Sequence, residues 1–96
     1  MSPTSDDAAA VLRTFLTPDG ALISIPAKHG KRLVILDHLA QRFEPGHRYT
    51  EVEVNALLRP AHSDVAALRR YLVENGFLDR ANGEYWRSGG TVDTQP

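Results

Sequence analysis

The residues of this chain that could do chemistry are mostly cations, and their chemistry is the recognition of anions. Lys28, His29, Lys31 and Arg32 crowd the start of a helical pattern that runs from Lys31 to Phe43. The helix dipole favours acids at that end, and each misplaced cation costs about 0.3–1 kcal/mol. Free amides at a helix start bind phosphate, and Lys or Arg beside them strengthens such a site. An anion or phosphate-backbone contact is therefore expected at Lys28, Lys31 and Arg32. The alternative keeps Lys28 in the preceding loop, with the other two lying along the surface or pairing with Asp19 or Glu44.

A second group of candidates lies towards the C-terminus. His62, Ser63 and Arg70 fall near the start and on the outward side of the stretch SDVAALRRYLVENG, and Arg80 and Arg87 flank Ala81-Asn82-Gly83. If this helix enters a major groove, Arg70 is its one strong donor for guanine. Arg80 and Arg87 would reach phosphates or a minor groove, or else pair across strands with Glu84 or Asp79. Arg69 borders the apolar side and is expected to meet an acid or lie along the core.

Catalysis and metal binding find little support. His29, His38, His47 and His62 show no HxxxH or HExxH spacing, and metal ligands would have to converge from four segments without cysteine. His62, Ser63 and Asp64 are consecutive, which is poor geometry for a triad, and Ser63 and Asp64 have a capping role. LTPDG and EPGH are turns rather than phosphate loops. The expectation is a protein that is not an enzyme, with no catalytic residue, cofactor or metal.

These side chains need a scaffold, and 96 residues supply one domain, held by packing alone because there is no cysteine. The apolar run Leu33–Leu36 is far short of a membrane span, and MSPTSDD lacks the basic and apolar regions of a signal peptide. A soluble cytoplasmic protein without membrane contact is expected. The net charge of -1 argues weakly against nucleic-acid binding, but from Lys28 to Arg87 there are ten Lys and Arg against eight Asp and Glu.

Residues 1–5 read as a disordered start, with Ser5 capping a helix from Asp6 to Leu16. Thr17-Pro18-Asp19-Gly20 is a turn, and Ala21–Pro26 (ALISIP) reads as a short strand. Leu33, Ile35, Leu36, Leu39, Ala40 and Phe43 form the apolar stripe of the core helix. Thr50 and Glu53 match a capping box, with Tyr49 and Val54 placed as a staple, and Pro60 stops the helix they start. Ser63 caps the next helix and Gly76 closes it. Asn82-Gly83 marks a hairpin, and Ser88–Pro96 reads as a disordered tail. Residues 6–87 thus form an α+β winged helix-turn-helix, ordered as helix, strand, three helices and a C-terminal β-hairpin wing, with the ALISIP strand beside the hairpin.

The runs IPAKHGKRLVILDHLAQRF, YTEVEVNALL, SDVAALRRYLVENGFLDR and YW, in that order from about Asp19 to Arg87, resemble the bacterial domain of unknown function family 2087. The resemblance carries no activity. It implies a small domain that occurs alone or appended to helix-turn-helix regulators of the arsenic-repressor type, and hence a regulatory setting. The function expected is a bacterial transcriptional regulator contacting double-stranded DNA, mainly through phosphates. Its alternative is a protein-interaction or dimerisation module that does not touch DNA, its amphipathic first helix docking across a two-fold axis.

Overall fold

A computed structural model of the chain describes residues 3–91, with side chains from residue 8 onward. The elements are α1 (Pro3–Phe15), α2 (His29–Ala40), β1 (Arg48–Thr50), α3 (Glu51–Leu58), α4 (Val65–Glu74), β2 (Leu78–Ala81) and β3 (Glu84–Arg87). The strands make one antiparallel sheet in the order β1-β3-β2. From α2 onward the order is helix, strand, helix, helix, hairpin, with β1 closing the sheet against the far side of the wing. This is an α+β, winged-helix-like arrangement with α1 added in front.

The strand beside the hairpin is not the expected one. Ala21–Pro26 makes only a single bridge, Leu22 with Leu16, and its amides go elsewhere: Leu22 N–H donates to Ala61 O at 2.6 Å and Ile23 N–H to Phe15 O at 2.8 Å. With those donors committed and a proline at its end, the segment has no ladder to offer. The place beside β3 is taken by Arg48–Thr50, three residues whose alternation is too short to stand out from the turn before and the helix cap after.

Several boundaries also move. Helix α1 begins at Pro3, so Ser5 lies inside its first turn and not at the cap; the Ser5 side chain falls outside the described residues. Helix α2 begins at His29 and stops at Ala40. The apolar stripe nevertheless continues to Phe43, because Gln41, Arg42 and Phe43 donate their amides to His38, Leu39 and Ala40 in a tighter i to i−3 turn.

Local signals and packing agree in α3 and α4. Glu53 N–H donates to Thr50 Oγ1 at 3.2 Å and Thr50 N–H to Glu53 Oε1 at 2.7 Å, completing the capping box. Donation by the Thr50 amide, and then by its side chain, holds the Glu53 carboxyl below its ordinary pKa. Asp64, not Ser63, caps α4: its Oδ1 accepts from Ala67 N–H at 3.1 Å, so Ser63 lies outside the helix. At the other end Gly76 N–H donates to Val73 O and Phe77 N–H to Leu72 O, the paired bonds of a Schellman motif.

The fully buried side chains come from every layer. Ile35, Leu36 and Leu39 of α2 and the following Phe43 meet Val54 and Leu58 of α3, Leu68 and Leu72 of α4, and Leu78 and Tyr85 of the hairpin. Each large aliphatic group withdrawn from water contributes about 1.5–3 kcal/mol, so the stripe that defines α2 also fixes where α4 and the wing must sit.

Asn82 and Gly83 both have positive φ, 53° and 80°, giving the two-residue type I′ turn expected of Asn-Gly. The disordered tail expected from Ser88 does not begin there. Ser88 and Gly89 donate their amides to Phe77 O, and Thr91 donates its amide and its hydroxyl to the two oxygens of Asp37 at 2.6 and 2.8 Å. Gly89 passes so close to the α4 exit that a Cβ there would stand 2.3 Å from Gly76 O. The glycines that suggested flexibility instead permit a close backbone approach. The remainder of that expected tail, residues 92–96, and residues 1–2 of the expected disordered start lie outside the described residues.

Candidate nucleic-acid interface

Hairpin register decides which wing arginine can meet a ligand. Arg80 stands opposite Tyr85 and Leu78 opposite Arg87, so all four side chains share the face of the ribbon that carries buried Leu78 and Tyr85. Arg87 lies at the base, over the core. Its Nη1 donates to Phe43 O at 3.3 Å, its Nε to Gly89 O at 3.0 Å and its Nη2 to Thr91 O. These bonds tie the α2 exit to the segment after the wing, and Arg87 is a structural residue rather than a ligand contact. Arg80 lies nearer the tip, exposed, with its guanidinium 5.7 Å from the Tyr85 ring centroid.

Between that tip and the outward face of α4 runs a cleft of about 430 Å³ lined by Ala66, Arg69, Arg70, Val73, Glu74, Arg80 and Tyr85. Three arginines and one glutamate thus converge from two elements. Arg70 is exposed, whereas the Arg69 side chain is only 19 % exposed because α3 holds it. Its Nη1 donates to Asn55 Oδ1, and its Nε lies 3.9 Å from Glu51 Oε1, which also accepts from Tyr85 O–H at 3.1 Å. Arg69–Glu51 is the single ion pair among the described residues. Arg80 makes neither of the cross-strand pairs weighed for it: the Asp79 carboxylate accepts instead from the Arg80 backbone amide at 2.8 Å.

The cluster at the start of α2 is divided between two faces. Arg32 turns towards α4, with Nη1 donating to Pro26 O at 3.4 Å and Ala27 O at 3.3 Å while its guanidinium lies 4.6 Å from the Tyr71 ring centroid. Arg70 approaches the same ring at 5.4 Å. Lys28 and Lys31 turn instead towards α1, where they line a separate groove with Thr14, Phe15 and Val34. Lys28 is the residue before the first helical one and makes no side-chain cap. His62 is half-buried, and its Nδ1 accepts from Asp64 N–H at 3.0 Å, so it helps begin α4. Ser63 is exposed just ahead of that helix.

Of the eight sites expected, Arg70 and Arg80 come together, Arg32 stands behind Arg70 through Tyr71, and Arg87 is absorbed by the fold. Two members of the cleft neighbourhood were not expected as site residues. Arg69 had a signal, since Glu51 and Asn55 are four apart on one face of α3 and together can hold a guanidinium. Tyr71 had none, because its role depends on α2 crossing α4. Arg48 lies 4.0 Å over the ring of its cross-strand neighbour Trp86, and this pair too depends on a strand that the local sequence hides.

No group of three or more His, Cys, Asp or Glu that could hold a metal occurs among the described residues. No described helix is long and apolar enough to cross a membrane. The cleft brings the guanidinium-bearing side chains of Arg69, Arg70 and Arg80 together with the Glu74 carboxylate, a lining in which positive charge outweighs negative.

Residues 21–87, from the start of the ALISIP segment to the last residue of β3, match the family described as "Uncharacterized protein conserved in bacteria (DUF2087)". No curated protein and no solved structure matches the chain. The matched region takes in α2 and everything that builds the cleft, and the chain belongs to this bacterial family of uncharacterised proteins.

Proposed function

We propose that this domain is a bacterial transcriptional regulator, a binding protein and not an enzyme, which contacts double-stranded DNA through the surface of α4 and the wing that borders this cleft, with phosphate contacts dominating. One observation carries the reading: Arg69, Arg70 and Arg80 line a single cleft although they come from two separate elements. Phosphate neutralisation supplies most non-specific affinity, and a lone arginine on the helix face reads little sequence. Arg70 is the one residue of α4 suited to a bidentate guanine contact.

Anisotropy of a labelled random duplex tests the reading. Wild-type binding should weaken steeply between about 50 and 200 mM salt. Arg70→Ala and Arg80→Ala should each weaken it and lower the slope of log affinity against log salt by about 1. A wild-type protein that does not bind at low salt would end this reading.

The second reading, a protein-interaction module, draws on two large apolar side chains in water: Val52 on α3 is 77 % exposed and Ile23 65 %. Size-exclusion with light scattering, with and without duplex, separates the two. An apolar dimer persists at moderate salt, whereas a nucleoprotein complex does not.

A further inference from the structure

We propose that the groove between α1 and α2 is a binding site for a small amphipathic anion, a carboxylate carried on an apolar chain. The groove measures about 540 Å³, within the range of about 300–1,000 Å³ that small-molecule sites occupy. Its lining divides by chemistry. Val11 and Phe15 of α1 and Val34 of α2 supply apolar surface, while Lys28 and Lys31 bring two ammonium groups from the start of α2. Thr14 Oγ1 donates to Ala10 O at 2.9 Å, so among the described lining residues the lysines are the side-chain donors left to meet a ligand's charge.

That composition selects the occupant. A bare inorganic anion would set its oxygens against Val11, Phe15 and Val34, where nothing replaces lost hydration. A neutral hydrocarbon would bury the apolar side chains but gain nothing from the two ammonium groups. A carboxylate with a chain of several methylenes satisfies both: each methylene withdrawn from water adds to affinity, and the charged end accepts from the two ammonium groups. The groove shares no lining residue with the α4–wing cleft, so the two are distinct, and its occupancy can be read without DNA.

The test is a titration of the full chain, free of DNA, with octanoate, octanol and acetate, followed by backbone-amide and aromatic NMR. Octanoate should give saturable shifts at the Gly30 and Val34 amides and the Phe15 ring. Octanol, which lacks the charge, and acetate, which lacks the chain, should each bind at least about tenfold more weakly, a difference of about 1.4 kcal/mol. Both lysines are exposed, so the Lys28→Gln/Lys31→Gln double variant should keep the wild-type spectrum. It should lose about tenfold in octanoate affinity and none in octanol affinity. Absence of saturable shifts overturns the proposal, as does octanol binding as well as octanoate, or a double variant that binds octanoate like wild type. Concentration-dependent dimerisation that buries these residues, or shifts seen only with anionic vesicles, would assign the groove to another occupant and overturn it as well.

Discussion

The guanidinium of Arg32 lies 4.6 Å from the ring centroid of Tyr71, joining the start of α2 to the outward flank of α4. Arg70 approaches that ring at 5.4 Å, so one aromatic side chain serves an arginine from each helix. Partly desolvated cation–π contacts are worth about 0.5–2 kcal/mol, and Arg32 adds bonds to Pro26 O and Ala27 O. Arg32→Ala should therefore lower stability by about 1–2 kcal/mol. Since 1 kcal/mol moves the midpoint of a domain this size by about 4–8 °C, thermal unfolding resolves the effect. A melting point within a degree or so of wild type would show that the stack contributes nothing.

The beginning of α4 separates two adjacent residues that look alike in sequence. Asp64 accepts from Ala67 N–H, whereas Ser63 is exposed and precedes the helix. Asp64→Ala is expected to cost about 1 kcal/mol, and Ser63→Ala to fall within about 0.5 kcal/mol of wild type. Urea midpoints of the two variants check this; the reverse order would restore Ser63 as the cap.

The two wing arginines should fail in different assays. Arg87 holds Phe43 O, Gly89 O and Thr91 O, and its removal leaves those carbonyls without that donor. Arg87→Ala should lose about 1–3 kcal/mol of stability. Arg80→Ala should unfold like wild type to within about 0.5 kcal/mol, because Arg80 is exposed and donates no side-chain hydrogen bond within the described residues. Chemical denaturation of both proteins tests the contrast, and equal midpoints would contradict it.

Gly89→Ala should destabilise the domain although it lies beyond the last strand. The new Cβ would meet Gly76 O at 2.3 Å, and that oxygen is backbone with no rotamer to escape into, so one segment must move. Overpacking of this kind costs about 1–3 kcal/mol. Faster hydrogen exchange at Ser88, Gly89 and Thr91 should accompany the loss; exchange unchanged from wild type would mean the segment is not anchored in solution.

Acid should weaken the fold through His38. Burial is the main cause that lowers its pKa from 6.5, the Arg42 charge lowers it further, and Asp37 partly opposes them. The unfolded chain therefore takes up this proton first. Stability is at its full value above about 6.5 and falls as pH drops from there through the lower, folded-state pKa, below which the loss levels off. His38→Gln should flatten that part of the stability–pH curve relative to wild type. Parallel curves for the two proteins would exclude His38 as the cause.

Much of the fold follows from short-range rules that act wherever the segment happens to sit. The Thr50–Glu53 box, the Gly76 closure and the Asn82-Gly83 turn each satisfy backbone groups within a few residues, so they could be read from the chain alone. The helical stripe through Ile35, Leu36, Leu39, Ala40 and Phe43 was equally legible, because burial at a period of 3.6 needs no knowledge of the partner. The sheet was not. Whether Ala21–Pro26 or Arg48–Thr50 lies beside β3 depends on which amides Ala61 and Phe15 have already taken, and that is settled only when distant segments meet. The same holds for the candidate sites. Residue type and spacing marked Arg32, Arg70, Arg80 and Arg87 alike as available cations. Packing then placed Arg32 against Tyr71 and turned Arg87 onto the carbonyls of Phe43, Gly89 and Thr91. Arg70 and Arg80 were left facing one cleft, because a guanidinium goes to whatever acceptor or ring the fold brings near it, and local sequence carries no record of those distances.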